Sequence, residues 1–347
     1  MTSTSIMKIG YVTLGAADGK LASTRITVLN PMEKIRALGY LPEILDEGTS
    51  YDPDRNLEGL VPLALEKGYQ QGDIIYFQSM KSISAVRTAR LLSEHGIFTV
   101  LGICNFIAAE MAEAVDAVIV SSQKLKEHYP HDLQQKIHLI HDGIESPDIK
   151  KESYHSKGKL KAVFLTGKRY QSIPGLHLPE DVELTVIGPY DDTPLETFRI
   201  PQLTEGYSRF KKEIWTLDAY KRIADFDIGV IPIDLTEPMP RPDQAPTETR
   251  SANKLTQMMS AALPLVAGPL PAYKDIITQG NDGFIAHTRE DWLSALNLLK
   301  DQNYRGLIGR NARKRVELEY SLESQVRKLV SLFNYLRLSH QNLDNIA

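Results

Sequence analysis

Ser251–Pro269 reads SANKLTQMMSAALPLVAGP. Leu255, Met258, Met259 and Ala262 fall at the spacing of one buried helix face. Ser251 stands where an N-cap would stand, which leaves Asn253 and Lys254 in the first turn. Leu265–Ala267 then reads as a short buried strand ending at Gly268. A helix N-terminus offers free N–H groups and the positive end of a dipole, and both suit a phosphate. Arg250 and Lys254 add charge there, and Arg can grip phosphate through two bonds at once. The same residues also read as an amphipathic core helix whose basic residues are simply solvated.

Outward from this stretch the chain repeats the strand–helix theme. In the first half, Lys8–Leu14, Leu41–Leu45, Asp73–Phe77, Phe98–Gly102 and Ala117–Ser121 read as strands. Ile26, Leu29, Met32, Ile35 and Leu38 lie at helical spacing after a Gly15–Ser23 loop, and Ser82–His95 and Phe106–Ala114 read as further helices. Around His141–Lys159 the pattern gives way to Gly143, Pro147 and a polar run of Lys, Ser and His, which reads as a linker. Alternation restarts with strands at Ala162–Gly167, Glu183–Gly188, Ile228–Pro232, Leu265–Ala267 and Phe284–Ala286. Thr236–Thr247, rich in Pro, reads as a loop. From Asp291 the chain reads as helical, and its last helix, near Leu322–Leu338, is long enough to pack back on the first half. Two runs of this kind predict two doubly wound α/β domains facing a central cleft, with ligands at the strand C-termini. The expected boundaries are 1–150 and 160–320, with 321–347 crossing back.

Composition narrows the function. The 347 residues are 42% hydrophobic and 24% charged, an ordinary globular balance. Residues 1–150 carry 14 Lys and Arg against 19 Asp and Glu, a net of −5, and the remainder is +1. An acidic half is poor at attracting nucleic acid or anionic lipid. The single cysteine, Cys104, excludes an internal disulfide and a cysteine-built metal site. With no apolar stretch of membrane-spanning length and no signal-like start, a cytoplasmic protein with no stable membrane insertion is expected.

Several runs in order carry a resemblance. NKLTQMMSAALPLVAGPLPAYKDII followed by GNDGFIAH is similar to the donor-binding segment of retaining glycosyltransferases of family four. ADFDIGVIPI, DWLSALNLLKD and NARKRVELEYSLE resemble later elements of that family, and AVDAVIVSSQKLKEHYP and IHLIHDGIE resemble the end of its first domain. The resemblance covers most of residues 85–325 and parts of 8–40. It implies the GT-B architecture, two Rossmann-like domains, with the acceptor on the N-terminal one. It also implies retaining, metal-independent transfer of a sugar from a nucleoside-diphosphate sugar to a hydroxyl acceptor, with no cofactor.

Roles follow from that resemblance. Lys168 and Arg169, after Gly167, would neutralise the donor diphosphate as it departs, where fixed cations lower a barrier most. Gly15 and Ala16 would bring the first loop to the donor. Glu248, Arg250, Ser251, Asn253, Lys254, Leu255 and Gln257 would line the donor segment, with Thr216, beside Trp215, near the nucleobase. Ser23 and Arg25 would face the acceptor. Asn105 stands where the family has an acid or His, so it can position a sugar hydroxyl but not act as a base. His141, Asp142 and Gly143 match a hinge turn rather than a catalytic cluster.

Two departures from the family pattern stand out. Thr249 and Gln257 occupy the positions of a glutamate pair separated by seven residues. This leaves open a non-catalytic sugar-nucleotide or glycan-binding protein, and, with less in its favour, an epimerase of the same shape. A soluble glycan, small-molecule or protein acceptor is expected, because no helix of the acidic first half shows a Lys/Arg-rich polar face.

Overall fold

The computed structural model describes residues 6–49, 51–104, 106–166, 178–188, 210–216, 218, 221–233, 235 and 244–344. By packing, the chain divides into two compact units. One takes Met1–Gly143, Pro240–Ser251 and Leu322–Ala347; the other takes Ile144–Met239 and Ala252–Ser321.

The first unit holds a six-stranded sheet. Its strands are β1 (Lys8–Val12), β2 (Leu41–Asp46), β3 (Ile74–Gln78), β4 (Phe98–Ile103), β5 (Ala117–Val120) and β6 (Ile137–Leu139). Their order is β2-β1-β3-β4-β5-β6, every neighbour parallel. Because side chains alternate along a strand, Ile75 and Phe77 enter one core and Ile74 and Tyr76 the other. The second of these cores is closed by the helix Leu322–Asp344, whose Val326, Leu329, Val330 and Phe333 are buried at helical spacing.

The helix after the first loop, residues 22–37, contains a π-helical stretch at Arg25–Leu29. Pro31 explains it. Its ring has no N–H to give and would clash with the carbonyl four residues back, and the wider turn just before it relieves that clash.

The second unit holds β7 (Leu160–Leu165), β8 (Val182–Gly188), β9 (Phe210–Ile214), β10 (Ile228–Ile231), β11 (Leu265–Ala267) and β12 (Phe284–Ile285). Their order is β12-β11-β10-β7-β8-β9, again parallel throughout. Helix Asn253–Ser260 covers one face and Arg289–Leu298 the other, while Gln302–Glu317 reaches both, with Ala312 and Val316 in the first core and Ile308 in the second. Two all-parallel sheets covered on both faces match the fold class expected from the alternation.

Several boundaries differ from those read in the sequence. The polar run after Gly143 is not a free linker but a strap on the second unit. The Lys151 N–H donates to the Ala261 carbonyl at 2.8 Å and its ammonium to Phe226 at 2.7 Å, while the Tyr154 hydroxyl donates to Ala262 at 2.8 Å. Residues Pro240–Ser251 pack with the first unit: Ala245 enters its core, and the Ser122 hydroxyl donates to the Thr249 carbonyl. The helix expected from Phe106 starts only at Ala109, because Phe106 is fully buried and bridges to Gln244. Strands β6 and β9 and the helices Leu60–Glu66 and Gln123–Glu127 join the expected elements.

Candidate functional site

In each sheet the strand order reverses at one place, between β1 and β3 in the first and between β7 and β10 in the second. Loops leaving such neighbouring strands part in opposite directions, so a crevice opens at their C-terminal ends.

In the first sheet a cavity of about 60 Å³ is lined by the C-terminal ends of β3, β4 and β5, by the helix that follows β1 and by the helix Leu322–Asp344. Gln78 ends β3 at its floor and is 1% exposed. The Leu14 N–H (2.9 Å) and the Thr24 hydroxyl (3.1 Å) both donate to its Oε1, which ties the end of β1 to β3. Since a backbone N–H can only donate, the amide is fixed with Nε2 on its other side. That Nε2 is buried with no hydrogen-bond partner among the described residues, as is the Ser121 hydroxyl at the end of β5. Ser79 follows with φ of +55°, a left-handed conformation rare outside glycine. Its N–H donates to Gly102 at 2.8 Å, so the neighbouring strand holds the strained turn in place.

His141 and Asp142 line the same cavity. His141 Nδ1 lies 3.3 Å from the Ser121 carbonyl, so that nitrogen carries the proton. Asp142 Oδ2 accepts from the Ser251 hydroxyl at 2.8 Å. Cys104, partly exposed as a residue, has its thiol pushed up to about 12, first by burial of the sulfur and then by the Asp142 carboxylate. It stays a thiol near neutral pH. Gln78, Ser79 and Ser121 were not legible as site residues in the sequence. The one signal that could have found them is their place at the C-terminal ends of β3 and β5.

Among the other first-unit candidates, Arg25 has a structural partner. Arg25 is 8% exposed and donates to the Gly19 carbonyl at 2.7 Å, so its guanidinium braces the first loop, whose turn at Gly19 needs φ of +78°. Ser23 lines the cavity and accepts the Thr27 hydroxyl on its carbonyl at 2.8 Å. Ala16 is partly exposed beside Gly15, where an added Cβ would meet only the flexible end of Leu21. Glu248 is exposed and lies 3.7 Å from His128, and Arg250 is half-buried.

In the second unit the helix Asn253–Ser260 follows β10, which brings its N-terminus to the C-terminal edge of the sheet. Lys254 Nζ stands 5.6 Å from the ring centre of Phe164, a β7 residue, so this end of the helix lies beside the reversal. The cap differs from expectation. Ala252, not Ser251, is the N-cap residue, and no side chain caps the helix. Leu255 is fully buried. Gln257 is 2% exposed, and its Oε1 accepts from the Glu145 N–H at 3.0 Å. Thr249, the other glutamate position, is 1% exposed, and its hydroxyl donates to the Pro246 carbonyl at 2.7 Å. Thr216 is exposed, while Trp215 packs against the core. Gly167, Lys168, Arg169 and Asn105 lie outside the described residues. Among the described residues no helix is long and apolar enough to cross a membrane.

No family model matches the chain, and no curated protein matches it. Solved structures do. A glycosyltransferase from Rickettsia africae is 13% identical over 96% of this chain and 99% of its own, with a TM-score of 0.68. Sucrose-phosphate synthase from Thermosynechococcus elongatus is 14% identical over 96% of this chain and 100% of its own, with a TM-score of 0.67. HepE from Anabaena, crystallised with UDP and glucose, is 14% identical over 94% of this chain and 99% of its own, with a TM-score of 0.64. At these identities the likeness is one of fold, and the fold is the two-sheet GT-B architecture.

Proposed function

We propose that this chain is a retaining, metal-independent glycosyltransferase that moves a sugar from a nucleoside-diphosphate sugar to a hydroxyl acceptor. The observation that supports it most is the shared fold, over nearly all of both chains, with HepE holding UDP and glucose. The second unit supplies a helix N-terminus with Asn253 and Lys254 in its first turn, beside the strand reversal where nucleotides sit in open α/β sheets. The donor diphosphate binds there, and Lys168 and Arg169, which follow β7 in the sequence, add positive charge as it leaves. The bond between the anomeric carbon and the phosphate oxygen breaks with its electrons going to the diphosphate. The acceptor hydroxyl attacks from the same face and gives its proton to a donor phosphate oxygen. Such a step needs orientation and charge stabilisation more than a protein base.

Incubation with UDP-glucose, GDP-mannose and other nucleotide sugars over an acceptor panel, read by NMR of the anomeric coupling, tests this. Transfer with retained configuration, unaffected by a chelator, is expected. An inverted product or loss of activity to the chelator would overturn that part of the reading.

A second reading, a sugar-nucleotide or glycan-binding protein, is favoured by one observation. Gln257, standing at a glutamate position of the family, is buried with its Oε1 on the Glu145 backbone. Stabilisation by nucleotide sugars without transfer to any acceptor would select it.

A further inference from the structure

The cavity at the C-terminal ends of β3, β4 and β5 holds polar groups that no described residue satisfies. Gln78 Nε2 is a fixed donor, and Ser121 Oγ can donate or accept; both are buried without a partner among the described residues. An unpartnered buried polar group is costly, so two in one cavity, next to the strained Ser79, indicate a place kept open for a ligand. No Lys or Arg is among the described lining residues, while the Asp142 carboxylate is. That balance disfavours an anion. About 60 Å³ takes only a few water-sized groups, the size of a hydroxymethyl or one edge of a sugar ring.

We propose that this cavity seats a neutral, hydroxyl-bearing group, with Gln78 donating to one of its oxygens and Ser121 bonding a second, and that it rejects phosphorylated or carboxylated ends. As the acceptor seat it rests on the transferase reading; as a polyol site it stands alone. In that reading Gln78 and Ser121 are specificity-determining residues, and the acceptor class is a neutral polyol or sugar.

The test is saturation-transfer NMR on the full chain with glycerol, glucose and myo-inositol against glucose phosphate and glucuronate, with UDP binding followed in the same samples. Saturable binding of at least one neutral compound is expected, with the anions roughly tenfold or more weaker. Ser121→Ala should weaken the neutral compound about fivefold, the worth of one hydrogen bond. Its unfolding midpoint should stay the same or rise, because the lost hydroxyl has no partner among the described residues. Equal binding of the anions, unchanged binding by Ser121→Ala, or no saturable neutral binding would each overturn the proposal. If a neutral compound binds through Ser121 but UDP does not bind, the transferase reading fails alone. If UDP binds and no neutral compound does, this proposal fails alone.

Discussion

The Ser251 hydroxyl donates to Asp142 Oδ2 at 2.8 Å, and the helix that Ser251 was expected to cap begins one residue later, behind Ala252. Losing either a cap or a bond to a carboxylate would cost on the order of 1–2 kcal/mol, so Ser251→Ala alone does not tell them apart. A double-mutant cycle does. In an Asp142→Leu background the cost of Ser251→Ala in urea unfolding should nearly vanish. An undiminished cost would mean that the hydroxyl acts on the helix after all.

The same carboxylate holds the Cys104 thiol up, behind burial as the larger cause. Asp142→Asn keeps an oxygen for Ser251 but removes the charge. The pH midpoint for alkylation of Cys104 by iodoacetamide should therefore fall from about 12. Burial remains, so it should stay above the ordinary thiol value of about 8.5. An unmoved midpoint would remove Asp142 from the account.

Arg305 anchors the second unit from inside. It is 1% exposed and donates to the carbonyls of Leu299 (2.8 Å), Lys300 (3.1 Å) and Tyr154, and to the Ser156 hydroxyl (2.8 Å). Ser156 in turn donates to Asp227 at 2.8 Å. Arg305→Met would leave these acceptors without their donor, and breaking such a buried charged network costs about 3–5 kcal/mol. Urea unfolding measures it; a loss under about 1 kcal/mol would show that the network is dispensable.

How much of this was legible follows from where each signal lies. Buried central strands such as Ile74–Gln78 and Phe98–Ile103 are continuous apolar runs because both faces are covered, so they stood out. The edge strand Phe210–Ile214 reads FKKEI; paired on one side only and carrying exposed Lys211 and Ile214, it gives no apolar run. Strap residues Lys151 and Ser156 looked like linker because their polar groups are satisfied by partners distant in sequence, Phe226 and Asp227. Gln78 and Ser121 escaped for a different reason. A polar residue at a strand end looks like the start of a loop until the topology shows which strands meet there.

Gly309 lies inside the helix Gln302–Glu317, where an alanine normally gains about 1 kcal/mol over glycine. Here the added Cβ would lie 2.3 Å from the Ala262 carbonyl oxygen and 2.5 Å from the Tyr154 hydroxyl. The first is backbone, held by the turn that ends the helix Asn253–Ser260, so it cannot swing aside. Gly309→Ala should destabilise by about 1–3 kcal/mol despite its better helix propensity. Gly306→Ala should cost less, because its nearest atoms, Arg310 Nη1 and Tyr154 Cδ2, both lie 3.1 Å away and need give only a few tenths of an ångström. A stabilised Gly309→Ala would contradict this packing.

The donor site has a test that does not depend on turnover. If the diphosphate sits at the N-terminus of Asn253–Ser260, the Lys254 ammonium contributes to the phosphates and little to the nucleoside. Removing a charge-assisted hydrogen bond costs about 1.5–3 kcal/mol, which is roughly tenfold or more in affinity. Lys254→Ala, and likewise Lys168→Ala, should therefore weaken UDP by that factor in calorimetry while leaving uridine almost unchanged. The gap between the two ligands should narrow as salt is raised, because screening acts on the phosphate contact and not on the base. Lys254 also stands over the Phe164 ring, so its loss could disturb local packing. Such a disturbance would weaken uridine and UDP alike and would not respond to salt. Equal weakening of both ligands, or UDP bound by both variants as by the parent, would place the phosphates elsewhere.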